Sequence, residues 1–159
     1  MAAGRSRGRI LTVLIAAVAL FLVLQGSVMA KMVLFSAVDG VVTLNGAPVA
    51  GAKVRREFNW GMKDENGGDS TVTDANGRFS LPVITRRSWL AFLPHEPVVQ
   101  QTILIDVAGT SYKAWMYFKR NYDNNGELRR PIRLACRLES DPDARPASYN
   151  TVFGICDLG

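Results

Sequence analysis

The sequence predicts an all-β protein: an antiparallel β-sandwich of about seven strands behind an N-terminal hydrophobic helix. Three observations carry this. Apolar residues beyond Lys31 alternate with period two, and no segment there sustains a 3.6-residue apolar period. Turn-forming residues separate the alternating segments. The one long apolar run, Ile10–Leu24, stands ahead of all of them.

The alternation can be followed strand by strand. Val42 and Leu44 alternate with Val41 and Thr43. Ala52, Val54, Phe58 and Trp60 share one parity, with Lys53, Arg55, Glu57 and Asn59 on the other. Phe79 and Leu81 follow, then Ile103, Ile105 and Val107. Tyr112, Ala114, Met116 and Phe118 oppose Lys113, Trp115, Tyr117 and Lys119. Ile132, Leu134, Cys136 and Leu138 close the series. Each set lines one face of a strand and can be buried as a unit. Asn45-Gly46, the Asp74–Gly77 tetrapeptide, Ala108-Gly109 and Asp123–Gly126 supply the turns. Segment 83–97 is less regular, and 64–69 reads as a solvated hairpin loop.

The N-terminus has the pattern of an export signal. Residues 1–9 hold Arg5, Arg7 and Arg9 and no acid. The 15-residue run ILTVLIAAVALFLVL follows, and then Val28-Met29-Ala30, a small-residue cleavage site. Two fates fit. The segment is cut between Ala30 and Lys31, or it stays as an anchor, since 10–30 spans 21 residues and a membrane helix needs roughly 20. Both place the remainder across the membrane, in the periplasm or anchored facing it. The expected organisation is a signal peptide or anchor over 1–30, a β-sandwich over 31–139, and a linker and tail over 140–159.

Charge narrows the function. The chain carries +5 formally, but without Arg5, Arg7 and Arg9 it holds 16 basic against 14 acidic residues. The basic balance therefore belongs mostly to the N-terminus, and a nucleic-acid partner is not expected. No phosphate-binding glycine loop, nucleophile elbow or nucleotide fingerprint is present, so neither cofactor nor enzymatic activity is expected.

The stretch GVVTLNGAPVAGAKVRR, followed by TVTDANGRFSLP, resembles the carboxypeptidase regulatory-like domain, a transthyretin (prealbumin)-type β-sandwich. The matching residues are Gly40, Val42, Asn45, Gly46, Pro48, Val49, Gly51, Ala52, Val54, Thr73, Asp74, Gly77 and Phe79, within roughly 35–82. The Gly-x-Tyr hairpin that follows in that family is absent. The whole chain is similar to a bacterial family of unassigned function that carries the Leu93-Pro94-His95-Glu96-Pro97 segment. Some of its members stand in toxin and type VI secretion neighbourhoods. The resemblance implies a module that binds or braces a neighbour.

Cys136 and Cys156 are the only cysteines, and an exported domain favours one disulfide between them; a buried free thiol at Cys136 is the other reading. His95 and Glu96, between two prolines, either fix the path of their loop or contact a partner. One His without a second ligand at helical spacing makes zinc unexpected. Asp64, Glu65 and Asp69 lack calcium-loop spacing. If Met116 faces the core, Trp115 and Tyr117 face outward beside Lys113 and Lys119 as partner contacts. The expected function is an exported, non-enzymatic sandwich that binds a protein partner, accessory or immunity-type beside a toxin or secretion system. An envelope-tethered structural module is the alternative, and a small hydrolase a distant one. Membrane contact is expected only through residues 10–30.

Overall fold

The computed structural model describes residues 29–140 and 154–159, together with Ile15. The expected hydrophobic helix and nearly all of the expected linker lie outside the described residues. The fold is all-β and sandwich-like, as the alternation predicts. Among the described residues no helix is long and apolar enough to cross a membrane.

Among the described residues there are eleven strands rather than about seven, because segments without clear apolar alternation, such as 65–72 and 84–88, pair as well. They are β1 (Ala30–Phe35), β2 (Val38–Leu44), β3 (Ala47–Pro48), β4 (Lys53–Trp60), β5 (Glu65–Val72) and β6 (Arg78–Leu81). Then come β7 (Ile84–Ser88), a 3-10 turn (Trp89–Phe92), β8 (Val99–Val107), β9 (Thr110–Lys119), β10 (Ile132–Arg137) and β11 (Cys156–Leu158). The chain forms two compact units. One contains Lys31 and Arg87–Pro94, and the other Met32–Arg86 with His95–Gly159.

The larger unit is built from two sheets. One runs β11-β10-β2-β3, with β6 also paired to β2; the other runs β5-β4-β8-β9. β1 pairs with β7 in a two-stranded ribbon. Val38, Val42, Phe79, Leu81, Ile132 and Leu134 are buried from the first sheet. Val54, Phe58, Trp60, Val99, Ile103 and Ile105 are buried from the second. Burying one such side chain contributes about 1.5–3 kcal/mol, so this period-two set is the main source of stability.

Two glycines make room for aromatic rings across a strand pair. Gly40 stands opposite Phe79, and a Cβ on it would lie 2.5 Å from that ring. Gly67 stands opposite Phe58, where a Cβ would lie 2.8 Å from the ring. Each ring covers the partner strand's bare backbone.

Three expectations are corrected. First, pairing is not wholly antiparallel, since β10 lies parallel to β2 from Ile132↔Val38 to Arg137↔Thr43. Parallel neighbours need a long crossover, and the intervening sandwich supplies it. Second, residues 65–69 are not a loop. They open β5, which pairs with β4 along its whole length from Lys53↔Val72 to Trp60↔Glu65. Third, the parity of β9 reverses. Its register with β8 shifts between Ile103↔Trp115 and Leu104↔Lys113, leaving Ala114 as the extra residue of a bulge. A bulge turns every later side chain to the opposite face. Ala114 and Trp115 are both fully buried, while Phe118 is exposed.

Candidate functional site

Polar side chains occupy core positions on neighbouring strands. Arg56 (β4), Gln101 (β8) and Lys119 (β9) are buried, and so are Ser36, in the β1–β2 turn, and Glu127, in the crossover to β10. The Glu127 carboxylate gathers four donors. Oε1 accepts from Ser36 N–H at 3.1 Å, Gln101 Nε2 at 2.8 Å and Lys119 Nζ at 3.0 Å. Oε2 accepts from Ser36 Oγ at 2.7 Å. Lys119 Nζ also donates to the Asp123 carbonyl at 2.7 Å, and Tyr117 Oη donates to the Glu127 carbonyl at 2.8 Å. Glu127 thus pegs an irregular crossover into the core.

Burial pushes the Glu127 carboxyl up, but the Lys119 charge and the Ser36 and Gln101 donors outweigh it and hold it below the usual carboxylate range. Burial pulls the Lys119 ammonium below its usual value, partly offset by Glu127. These directions oppose each other, since the first favours an ionised pair and the second disfavours it. The donor set decides for the ionised pair, because a protonated acid would leave one converging donor without an acceptor.

Arg56 extends the cluster. Its Nε and Nη2 form a fork on Asp69 at 2.9 and 2.7 Å. Nη1 reaches the Ser36 carbonyl at 3.0 Å, and Nη2 also donates to the Pro82 carbonyl. Its guanidinium lies 4.8 Å from the centre of the Phe35 ring, within cation–π reach. With side chains shut off from solvent, Lys119 and Glu127 brace the fold.

An accessible trough of about 730 Å³ lies over the outer face of the first sheet, with Thr71 and Val72 of β5 also on its wall. The ladder dictates its pattern. Asp39 on β2 lies between Arg133 of β10 and Ser80 of β6, and Val41 lies between Ala135 and Arg78. Small side chains form the centre, and two arginines stand at opposite corners. Asp74 fixes one corner by accepting the Asn76 and Arg78 N–H groups at 2.8 Å each. The other corner is held by Gly159, whose N–H donates to the Arg133 carbonyl at 2.9 Å.

The residues singled out in the sequence are dispersed. Cys136 and Cys156 form a disulfide across a directly opposed pair of β10 and β11, with Cα atoms 4.0 Å apart. It holds the C-terminal strand on the sheet edge. Ala30 and Lys31, the expected cleavage junction, open β1. Trp115 is fully buried and stacks on half-buried Tyr117 at 5.6 Å, so the expected outward-facing pair lies on the inner face instead. The bulge at Ala114 is the physical reason. His95 Nε2 lies 3.0 Å from Tyr122 Oη, which accepts the Trp60 indole N–H at 2.9 Å. A hydroxyl that takes the indole N–H is free to donate to Nε2, so His95 braces its loop. Glu96 forms an exposed ion pair with Arg120 at 3.3 Å. Asp69 and Glu65 are engaged by Arg56 and Arg86.

Sequence reading missed Gln101, Lys119 and Glu127. Gln101 shares the parity of Val99, Ile103 and Ile105, and that signal places it inside. Lys119 needed the bulge, and Glu127 sits in a turn segment without periodicity.

A fold of this kind, with a sealed polar core and an open trough, defines a β-sandwich module. The chain belongs to the DUF6795 family, a domain of unknown function, whose model matches residues 38–141. No curated protein matches the chain, and no solved structure does.

Proposed function

We propose that this chain is an exported, non-enzymatic β-sandwich that binds a protein partner through the outer trough of its first sheet, as an accessory or immunity-type component beside a toxin or secretion system. The observation that carries this reading is a contrast between inside and outside. The buried Lys119–Glu127 pair is sealed and satisfied, whereas Arg78, Arg133 and Asp39 stand exposed around the small Val41 and Ala135. A pattern of fixed charges around a small apolar centre suits a protein surface of complementary charge. The Cys136–Cys156 disulfide supports export, because such bonds persist in oxidising compartments. The carboxypeptidase regulatory-like resemblance supports a binding rather than a catalytic role.

The test is capture from the native cell by the full chain and by its Arg78→Glu/Arg133→Glu variant. The proposal expects a discrete partner with the natural chain and its loss with the variant, at an unchanged melting temperature. Equal capture by both would overturn the trough as the contact surface.

A further inference from the structure

The smaller unit shows an apolar tip that is exposed among the described residues. Trp89, Phe92 and Leu93 are 53%, 63% and 44% exposed, while Leu90 beside them is buried. The turn that presents them is held from within. Ser88 Oγ accepts the Leu90 N–H at 3.2 Å, and the Leu93 N–H donates to the Leu90 carbonyl at 3.0 Å. Three large apolar side chains are thus fixed outward within five residues. Singly exposed apolar residues are ordinary on protein surfaces, but a fixed cluster marks a binding surface.

The surroundings name the occupant. Residues 29–31 and 87–94 include Lys31 and Arg87 and no acid. Lys31 and Arg87 are exposed, and Lys31 belongs to the same compact unit as Arg87–Pro94. In sequence, only six residues separate Lys31 from the Ile10–Leu24 apolar run. Aromatic residues beside cations are the composition of the membrane–water interface. There the ring enters the headgroup boundary and the cations meet lipid phosphates.

We propose that the 87–94 turn is a membrane-surface foot. Trp89, Phe92 and Leu93 enter the headgroup–acyl boundary of an anionic bilayer, and Lys31 and Arg87 lie at its phosphates. This rests on the reading that the chain is exported, but not on the trough. The foot adds a contact beyond residues 10–30.

The chain provides its own reporter. Its three tryptophans are Trp60, Trp89 and Trp115; Trp60 and Trp115 are fully buried, and residues 1–30 contain none. The full chain is reconstituted into phosphatidylcholine–phosphatidylglycerol vesicles with brominated acyl chains, and tryptophan emission is read. The proposal expects quenching that disappears in Trp89→Phe. It also expects loss of quenching in Phe92→Ser/Leu93→Ser, since each side chain contributes roughly tenfold in partitioning. Absence of quenching, or quenching that survives Trp89→Phe, overturns it. So does a concentration-dependent blue shift of Trp89 without lipid, which would assign the tip to a second copy of the chain. Partner capture in detergent fails or succeeds independently of this result.

Discussion

Lys119 and Glu127 meet at 3.0 Å with both side chains closed to solvent. They lie at either end of the Arg120–Gly126 segment, so the pair ties the end of β9 to the crossover that follows it. Removing one partner leaves the other charge buried alone, which costs about 3–5 kcal/mol. Lys119→Met should therefore lower the unfolding free energy by about that amount. The double variant Lys119→Met/Glu127→Leu should be less destabilised than the sum of its single changes. Denaturant unfolding of the three variants measures this, and a Lys119→Met cost below about 1 kcal/mol would contradict the pair's role.

Stability should fall in acid for the same reason. The folded carboxyl of Glu127 titrates below its unfolded value, so between the two values the unfolded chain binds more protons. The contribution is complete above the ordinary carboxylate range and disappears as pH falls through the folded value. Asp106, lowered by its hydrogen bond from Arg55, adds a smaller effect of the same sign because that pair is only partly buried and water screens it. Unfolding measured across the acid range should show a drop that is shallower in Glu127→Gln.

The disulfide closes a loop with a sequence separation of 20, worth about 3 kcal/mol in chain entropy. Cys136→Ser/Cys156→Ser should lose about that much stability. Hydrogen exchange should rise first at β11, which is three residues long. Uniform exchange across both sheets would show that the bond stabilises the whole fold rather than its edge.

Gly40→Ala should destabilise although only a methyl group is added. The new Cβ would stand 2.5 Å from the Phe79 ring and 2.9 Å from the Leu134 carbonyl. Overpacking of this kind costs about 1–3 kcal/mol. Phe79→Leu in the same chain should return part of the loss, and a thermal melt of the pair decides it.

Legibility in the sequence followed periodicity. Val54, Phe58, Trp60, Ile103, Ile105, Ile132 and Leu134 were readable as core because period two persists through their strands. Trp115 was misread because one extra residue, Ala114, reverses parity, and nothing local announces a bulge. Trp115→Ala should accordingly cost about 3–5 kcal/mol of stability, as a core aromatic does. The disulfide was readable from cysteine count and export. The trough was not, since it arises from strands distant in sequence, with Asp39, Arg78 and Arg133 brought together by the β6-β2-β10 ladder.

The most direct test of the binding role is photo-crosslinking in the native cell from a probe at Val41, in the centre of the trough. A discrete crosslinked species that vanishes with Arg78→Glu/Arg133→Glu is the predicted result. A crosslink that persists after charge reversal, or the absence of any species at Val41, would contradict it.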